Sequence, residues 1–65
     1  MTILSIPEMS CGHCKATVDK AIHAVDPAAV LDFDMEARTV AVQSGAALDS
    51  LRAALRDAGY EASAA

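Results

Sequence analysis

The chain has no tryptophan, one tyrosine and one phenylalanine in 65 residues. Its five basic residues, Lys15, Lys20, Arg38, Arg52 and Arg56, are scattered among nine acids. With no basic cluster and almost no ring for a base to stack on, nucleic-acid binding is not expected. The formal net charge of −4 argues equally against an anionic membrane surface as a partner. No apolar run is long enough to span a bilayer, so membrane insertion is not expected either. The opening MTILSIPEMS lacks a basic stretch followed by a long apolar one, so no secretory leader is read. Taking Met1 as the natural start, the expected compartment is the cytoplasm, where thiols stay reduced unless they are catalytic or bind metal.

Cysteine is scarce too. There are two, Cys11 and Cys14, and a bridge between them closes too small a loop to serve as a disulfide framework. The length allows one domain, residues 1–65, with a small core and marginal stability unless a ligand or staple helps. The hydrophobic fraction is 54%, yet much of it is alanine, so the few large apolar side chains must lie on chosen faces.

Those faces can be read. Residues 3–6 form a short strand with Leu4 and Ile6 on one side, ended by Pro7. A loop over residues 8–12 leads into a helix over 12–25. Cys14, Val18, Ala21, Ile22 and Val25 share one face of that helix, while Asp19, Lys20 and His23 fall on the other. Asp26-Pro27 stops it. Residues 31–35 alternate, with Leu31, Phe33 and Met35 inward, in a strand expected to start near Ala29. Glu36-Ala37-Arg38 makes a tight connection to a second alternating strand over 39–43, completing a hairpin. A second helix is expected over 47–58, with Leu48, Leu51, Leu55 and Ala58 on one face and Gly59 as a left-handed cap. A last short strand is expected over 60–63, and the Ala/Ser-rich residues 62–65 are expected to fray. The order β-α-β-β-α-β gives a ferredoxin-like α+β sandwich: a four-stranded antiparallel sheet with two helices on one face. Because each helix and the hairpin has its own core face, the metal-free protein is expected to be folded.

The chemistry lies in MSCGHC, residues 9–14. Cys11 falls in a loop and Cys14 in the first turn of a helix, where free amides and the helix dipole favour negative charge. At least one thiol should therefore have a lowered pKa. Two functions need that. A thiol-disulfide oxidoreductase needs a larger fold and a proline facing the disulfide, and neither Pro7 nor Pro27 is placed for it. Metal binding fits better, because two thiolates are soft donors that select Cu(I), which accepts low coordination numbers. Structural Zn(II) wants four ligands, which a monomer offering Cys11, Cys14, His13 and a distant His23 does not supply, although a dimer could assemble more thiolates.

With these residues in place, the chain resembles the heavy-metal-associated domain family, most of all its small bacterial copper chaperones of the CopZ type. The likeness covers almost the whole chain. Met9-x-Cys11-x-x-Cys14 is similar to the family's metal loop, and Asp57-Ala58-Gly59-Tyr60 to the end of its second helix. The resemblance implies that Cys11 and Cys14 bind Cu(I), that Met9 packs beneath the loop and that Tyr60 lies close to the metal. It also implies ligand exchange, one thiolate at a time, with a metal-binding domain or platform of a copper-transporting P-type ATPase. A copper-bridged homodimer is the other partnership it allows. The chain departs from the family at Glu8, where glycine is usual. Ser10 stands where zinc-preferring relatives commonly carry Asp, so that hard oxygen donor is missing.

Each residue also has a plainer reading. For the cysteines it is one structural residue, Cys14 on the apolar face, beside one idle one. His13 is a candidate auxiliary ligand, but in a monomer it reads better as an exposed loop side chain, becoming a donor only in a copper-bridged dimer. Met9 has a thioether, yet at the foot of a loop it reads as a plug. Tyr60 either starts a strand or supports the metal site from behind. Lys15 and Lys20 suit a solvated helix face as well as an acidic partner. The sequence therefore points to a non-enzymatic copper(I) chaperone. The alternatives are a chaperone or sensor for silver, mercury or, in a dimer, zinc, and a small CGHC oxidoreductase. A start at Met1 favours a free-standing protein over a domain excised from a larger ATPase.

Overall fold

The computed structural model describes residues 2–64. Its elements are β1 (Thr2–Ser5), α1 (Gly12–Val25), β2 (Val30–Asp34), β3 (Thr39–Gln43), α2 (Leu48–Asp57) and β4 (Ser63–Ala64). The four strands make one antiparallel sheet in the order β2-β3-β1-β4. This is the ferredoxin-like α+β sandwich expected from the sequence.

The inner face of the sheet carries Leu4, Val40 and Val42, all buried. Against it lie Val18 and Ile22 of α1 and Leu51 and Leu55 of α2, also buried. The hairpin register pairs Leu31 with Val42 and Phe33 with Val40, so the inward residues of both strands stack in rows. Asp32 and Asp34 face water, as the alternation requires. β2 is an edge strand, so Leu31 and Phe33 are only half-buried, packed against the core rather than inside it.

Both helices end through identifiable chemistry. At Asp26, the N–H donates to the Ile22 carbonyl at 3.0 Å. The Asp26 carboxylate accepts from the Ala28 N–H at 3.0 Å and from the Ser44 hydroxyl at 2.6 Å. Those bonds hold the carboxyl below its usual range, Ser44 contributing most. They also tie the end of α1 to the loop before α2. The second helix ends at Gly59, with φ 94. Here Tyr60 N–H donates to Leu55 O at 2.8 Å and Gly59 N–H to Arg56 O at 3.0 Å, the paired bonds of a Schellman cap.

Four expectations need correction. β1 spans Thr2–Ser5 rather than 3–6, although Ile6 stays fully buried and its N–H still reaches the Arg38 carbonyl at 2.9 Å. The second strand stops at Asp34, whose carboxylate accepts from the Ala37 N–H at 3.1 Å and turns the chain early, leaving Met35 half-buried outside the strand. Val25 is 36% exposed, because α1 runs past the edge of the core. The last strand is Ser63–Ala64, not 60–63, and the tail does not fray there. Ala62 is 4% exposed, its carbonyl accepts from Arg52 Nε at 3.0 Å, and Ser63 and Ala64 pair with the open edge of β1. Ala65, the end of the expected frayed tail, lies outside the described residues.

Candidate functional site

The loop from Pro7 to Ser10 leaves β1 at one end of the sheet and delivers the chain to α1. Met9 anchors it. Its N–H donates to the Ile6 carbonyl at 3.0 Å and its side chain has no exposed surface. Past Met9 the chain emerges, and Ser10, Cys11, Gly12 and His13 are all exposed. Cys11 is the N-cap of α1, in an extended conformation and with no side-chain capping bond. The first amides of the helix thus lack an internal acceptor and point toward the sulfurs' end of the molecule.

Cys14 sits in the first turn, half-buried, with its sulfur 3.2 Å from that of Cys11. Both cysteines are free thiols, and Cys11 donates to Cys14. The Cys14 pKa is lowered from 9.0 to about 7. The hydrogen bond from the Tyr60 hydroxyl contributes most, then the Cys11 thiol, then the Ser10 backbone. Each of these donors favours the thiolate over the thiol. The same contact pushes the Tyr60 hydroxyl up, so Tyr60 keeps its proton and remains a donor.

Tyr60 reaches Cys14 because of the cap on α2. The left-handed Gly59 reverses the chain and the Tyr60 amide is fixed to Leu55, so the ring is laid against the core with its hydroxyl at the start of α1. Of the residues singled out in the sequence, Cys11, Cys14 and Tyr60 meet, with Met9 packed in the core below. His13 is exposed, and its backbone carbonyl accepts from the Thr17 hydroxyl at 3.0 Å. Among the described residues, no three His, Cys, Asp or Glu side chains are grouped so as to hold a metal ion. Cys11 and Cys14 together therefore offer a pair of soft donors, short of the four ligands of closed zinc sites.

His23 is at the other end of α1, on the partly exposed face its position suggested, but it is not without partners. Its Nε2 lies 2.9 Å from the Ala29 carbonyl, and its Nδ1 pairs with Asp19. Lys15 lies with its ammonium 5.3 Å from the Phe33 ring centre, so part of its reach is spent within the chain. A cavity of about 510 Å³ beside Tyr60 is lined by Arg52 and Arg56 but also by Glu8 and Glu61, so it carries no net sign by which to select a ligand.

The sequence matches the heavy-metal-associated domain over residues 3–61. The chain belongs to the heavy-metal-associated family. Copper chaperone CopZ from Staphylococcus aureus (strain JH9) is 37% identical over 62 residues, covering 91% of each chain. Among solved structures, a gold-binding protein superposes with a TM-score of 0.94 at 31% identity, covering all of both chains. Copper chaperone Atx1 from Synechocystis PCC6803, in a trimeric copper form, gives a TM-score of 0.93 at 30% identity, over 97% of this chain and all of that one. The heavy-metal-associated fold thus accounts for the chain nearly end to end.

One participant could not be found from sequence. Arg38, in the hairpin turn, donates from Nη1 to the carbonyl of Pro7 at 2.9 Å. The one hint was a tight turn, Glu36-Ala37-Arg38, without glycine or asparagine.

Proposed function

We propose that this heavy-metal-associated chain is a copper(I) chaperone that works as a single domain, holds the ion between Cys11 and Cys14 and hands it to a partner by ligand exchange. The observation that carries the proposal is the pair of free sulfurs 3.2 Å apart at an exposed tip, with the Cys14 thiol held at about 7. Near neutral pH Cys14 is ready to lose its proton to a soft cation. The copper chaperones among its relatives support the choice of metal.

In this reading the two cysteines play different parts. With metal–sulfur bonds of about 2.3 Å, as in zinc thiolates, two sulfurs on opposite sides of an ion stand roughly 4.6 Å apart. The observed 3.2 Å must therefore open when the ion enters. Cys14, on the helix and bonded by Tyr60, is the fixed ligand, and Cys11, on the exposed loop, is the one that swings. The same freedom admits a third thiolate from a partner's own pair, so the ion passes on without being released. The partner is a metal-binding domain or platform of a copper-transporting P-type ATPase, or a second copy in a copper-bridged homodimer, where His13 becomes an auxiliary donor. The site is in the cytoplasm, and the chain performs no catalysis. Among the described residues no helix is long and apolar enough to cross a membrane.

A second reading, cargo of another soft thiophilic ion, is favoured by the gold-binding neighbour, which superposes as well as the copper chaperone does. Anaerobic titration with Cu(I) against a chromophoric chelator tests both. The reduced wild type is expected to take one equivalent, and the Cys11→Ser/Cys14→Ser variant none. Equal failure of both would remove copper as the cargo, and repeating the titration with Ag(I) would then decide for the second reading. Acceleration of insulin reduction would instead reinstate a redox role.

A further inference from the structure

Arg38 occupies a conformation that suits arginine poorly. It closes the turn between β2 and β3 with φ 57, and among the described residues it is the one non-glycine with positive φ. Glycine or asparagine is preferred there, because a side chain carries a steric cost in the left-handed region. The turn itself does not need an arginine, since the Asp34 carboxylate already caps it through Ala37 N–H at 3.1 Å. Backbone outliers of this kind persist where the surroundings use them.

What Arg38 does is hold the root of the metal loop. Its backbone carbonyl accepts from Ile6 N–H, and its guanidinium donates to the Pro7 carbonyl, both at 2.9 Å. Pro7 has no N–H, so that carbonyl is its only main-chain handle. A charged donor makes the stronger kind of hydrogen bond. Past Pro7 the next fixed point is buried Met9, and Cys11 follows two residues later without a cap. Arg38, from the hairpin turn beside the end of β1, thus holds the chain just before Met9, the anchor from which the Cys11 segment opens.

We infer that Arg38 is a positioning residue for the Cys11–Cys14 site. By holding Pro7 it fixes the approach of the chain to Met9 and, through that anchor, the position from which Cys11 moves. It touches neither sulfur, and the inference rests on the copper reading given above.

Two variants test it. Arg38→Gly keeps the left-handed turn and removes the tether, and Arg38→Lys keeps a charged donor of similar reach. Three quantities are measured: the unfolding temperature, the backbone order of residues 8–12 in the metal-free protein by NMR relaxation, and Cu(I) affinity by chelator competition. The glycine variant is expected to unfold at or above the wild-type temperature, with looser loop amides and Cu(I) affinity reduced about three- to tenfold, the effect of one exposed charged hydrogen bond. The lysine variant is expected between the two. Wild-type loop order and affinity in Arg38→Gly would overturn the assignment, as would an affinity loss that merely follows a loss of stability. A wild type that captures no Cu(I) overturns the copper reading and this role together. The loop-order measurement tells that outcome apart from failure of the tether alone.

Discussion

Met9→Ala should remove a large share of this protein's stability while leaving Cys11 and Cys14 untouched. Met9 has no exposed surface and packs in the same cluster as Leu4, Ile6 and Val18. Truncating a fully buried methionine to alanine costs about 2–5 kcal/mol, part lost transfer energy and part cavity. The loop above Met9 is exposed and can settle, which places the cost near ~2.5 kcal/mol. At the usual stability per residue the whole chain has roughly 3–10 kcal/mol. Unfolding entropy of about 2.1 cal/mol/K per residue gives ~0.14 kcal/mol/K for a chain of this length, so the midpoint should fall by ~18 °C. Met9→Leu nearly conserves volume and should cost less than about 1.5 kcal/mol. Thermal and urea unfolding of the metal-free variants, followed by circular dichroism, measure both. Cu(I) competition on the same samples adds the second half: Met9→Leu should bind as tightly as wild type, because a buried thioether is a plug and not a ligand. An alanine variant within about 0.5 kcal/mol of wild type, or a leucine variant that loses copper, would refute this reasoning.

Three further outcomes are expected. Tyr60→Phe removes the principal donor to Cys14, so the first thiol titration should move up from about 7 toward the ordinary 9.0; the pH dependence of thiol alkylation reads it, and an unmoved titration counts against the contact. His23 has its pKa raised above 6.5, first by the Ala29 carbonyl and then by Asp19. Its contribution to stability should therefore be complete below pH 6.5 and disappear as pH rises through the folded-state value. Urea midpoints of wild type and His23→Gln should converge with rising pH, and a gap that widens would contradict the sign. Gly59→Ala meets no atom within 4 Å, so its cost is the left-handed backbone alone, about 1–2 kcal/mol; a neutral result by urea unfolding would show that the cap tolerates a side chain.

How much of this was legible depended on the range of the forces involved. The 3.6-residue spacing of Val18 and Ile22 located α1, and the alternation through Phe33 and Val40 located the hairpin, because burial imposes those periods on neighbouring residues. Gly59 announced its cap for the same local reason. The last strand carried no such signal: Ser63 and Ala64 are held by the open edge of β1, and Arg52 secures Ala62 just before them, all of it information from elsewhere in the chain. His23 is at the surface as its helix face indicated, but its partner Ala29 lies beyond the helix end and was not legible. The Cys11–Cys14 pair was plain from spacing, whereas the approach of Tyr60 to Cys14 was reachable only through family resemblance. The Arg38–Pro7 bond spans 31 positions and left only a turn without its customary residue.

The central claim is transfer without release, and one measurement bears on it directly. Cu(I)-loaded protein is mixed anaerobically with the metal-free domain of a copper-transporting ATPase, in the presence of a chelator that colours on binding free Cu(I). The account predicts that copper appears on the acceptor domain, faster as acceptor concentration rises, while the chelator stays colourless on that timescale. Copper reaching the chelator first, at a rate indifferent to the acceptor, would mean that the ion dissociates before it is captured, and the exchange between thiolate pairs would have to be abandoned.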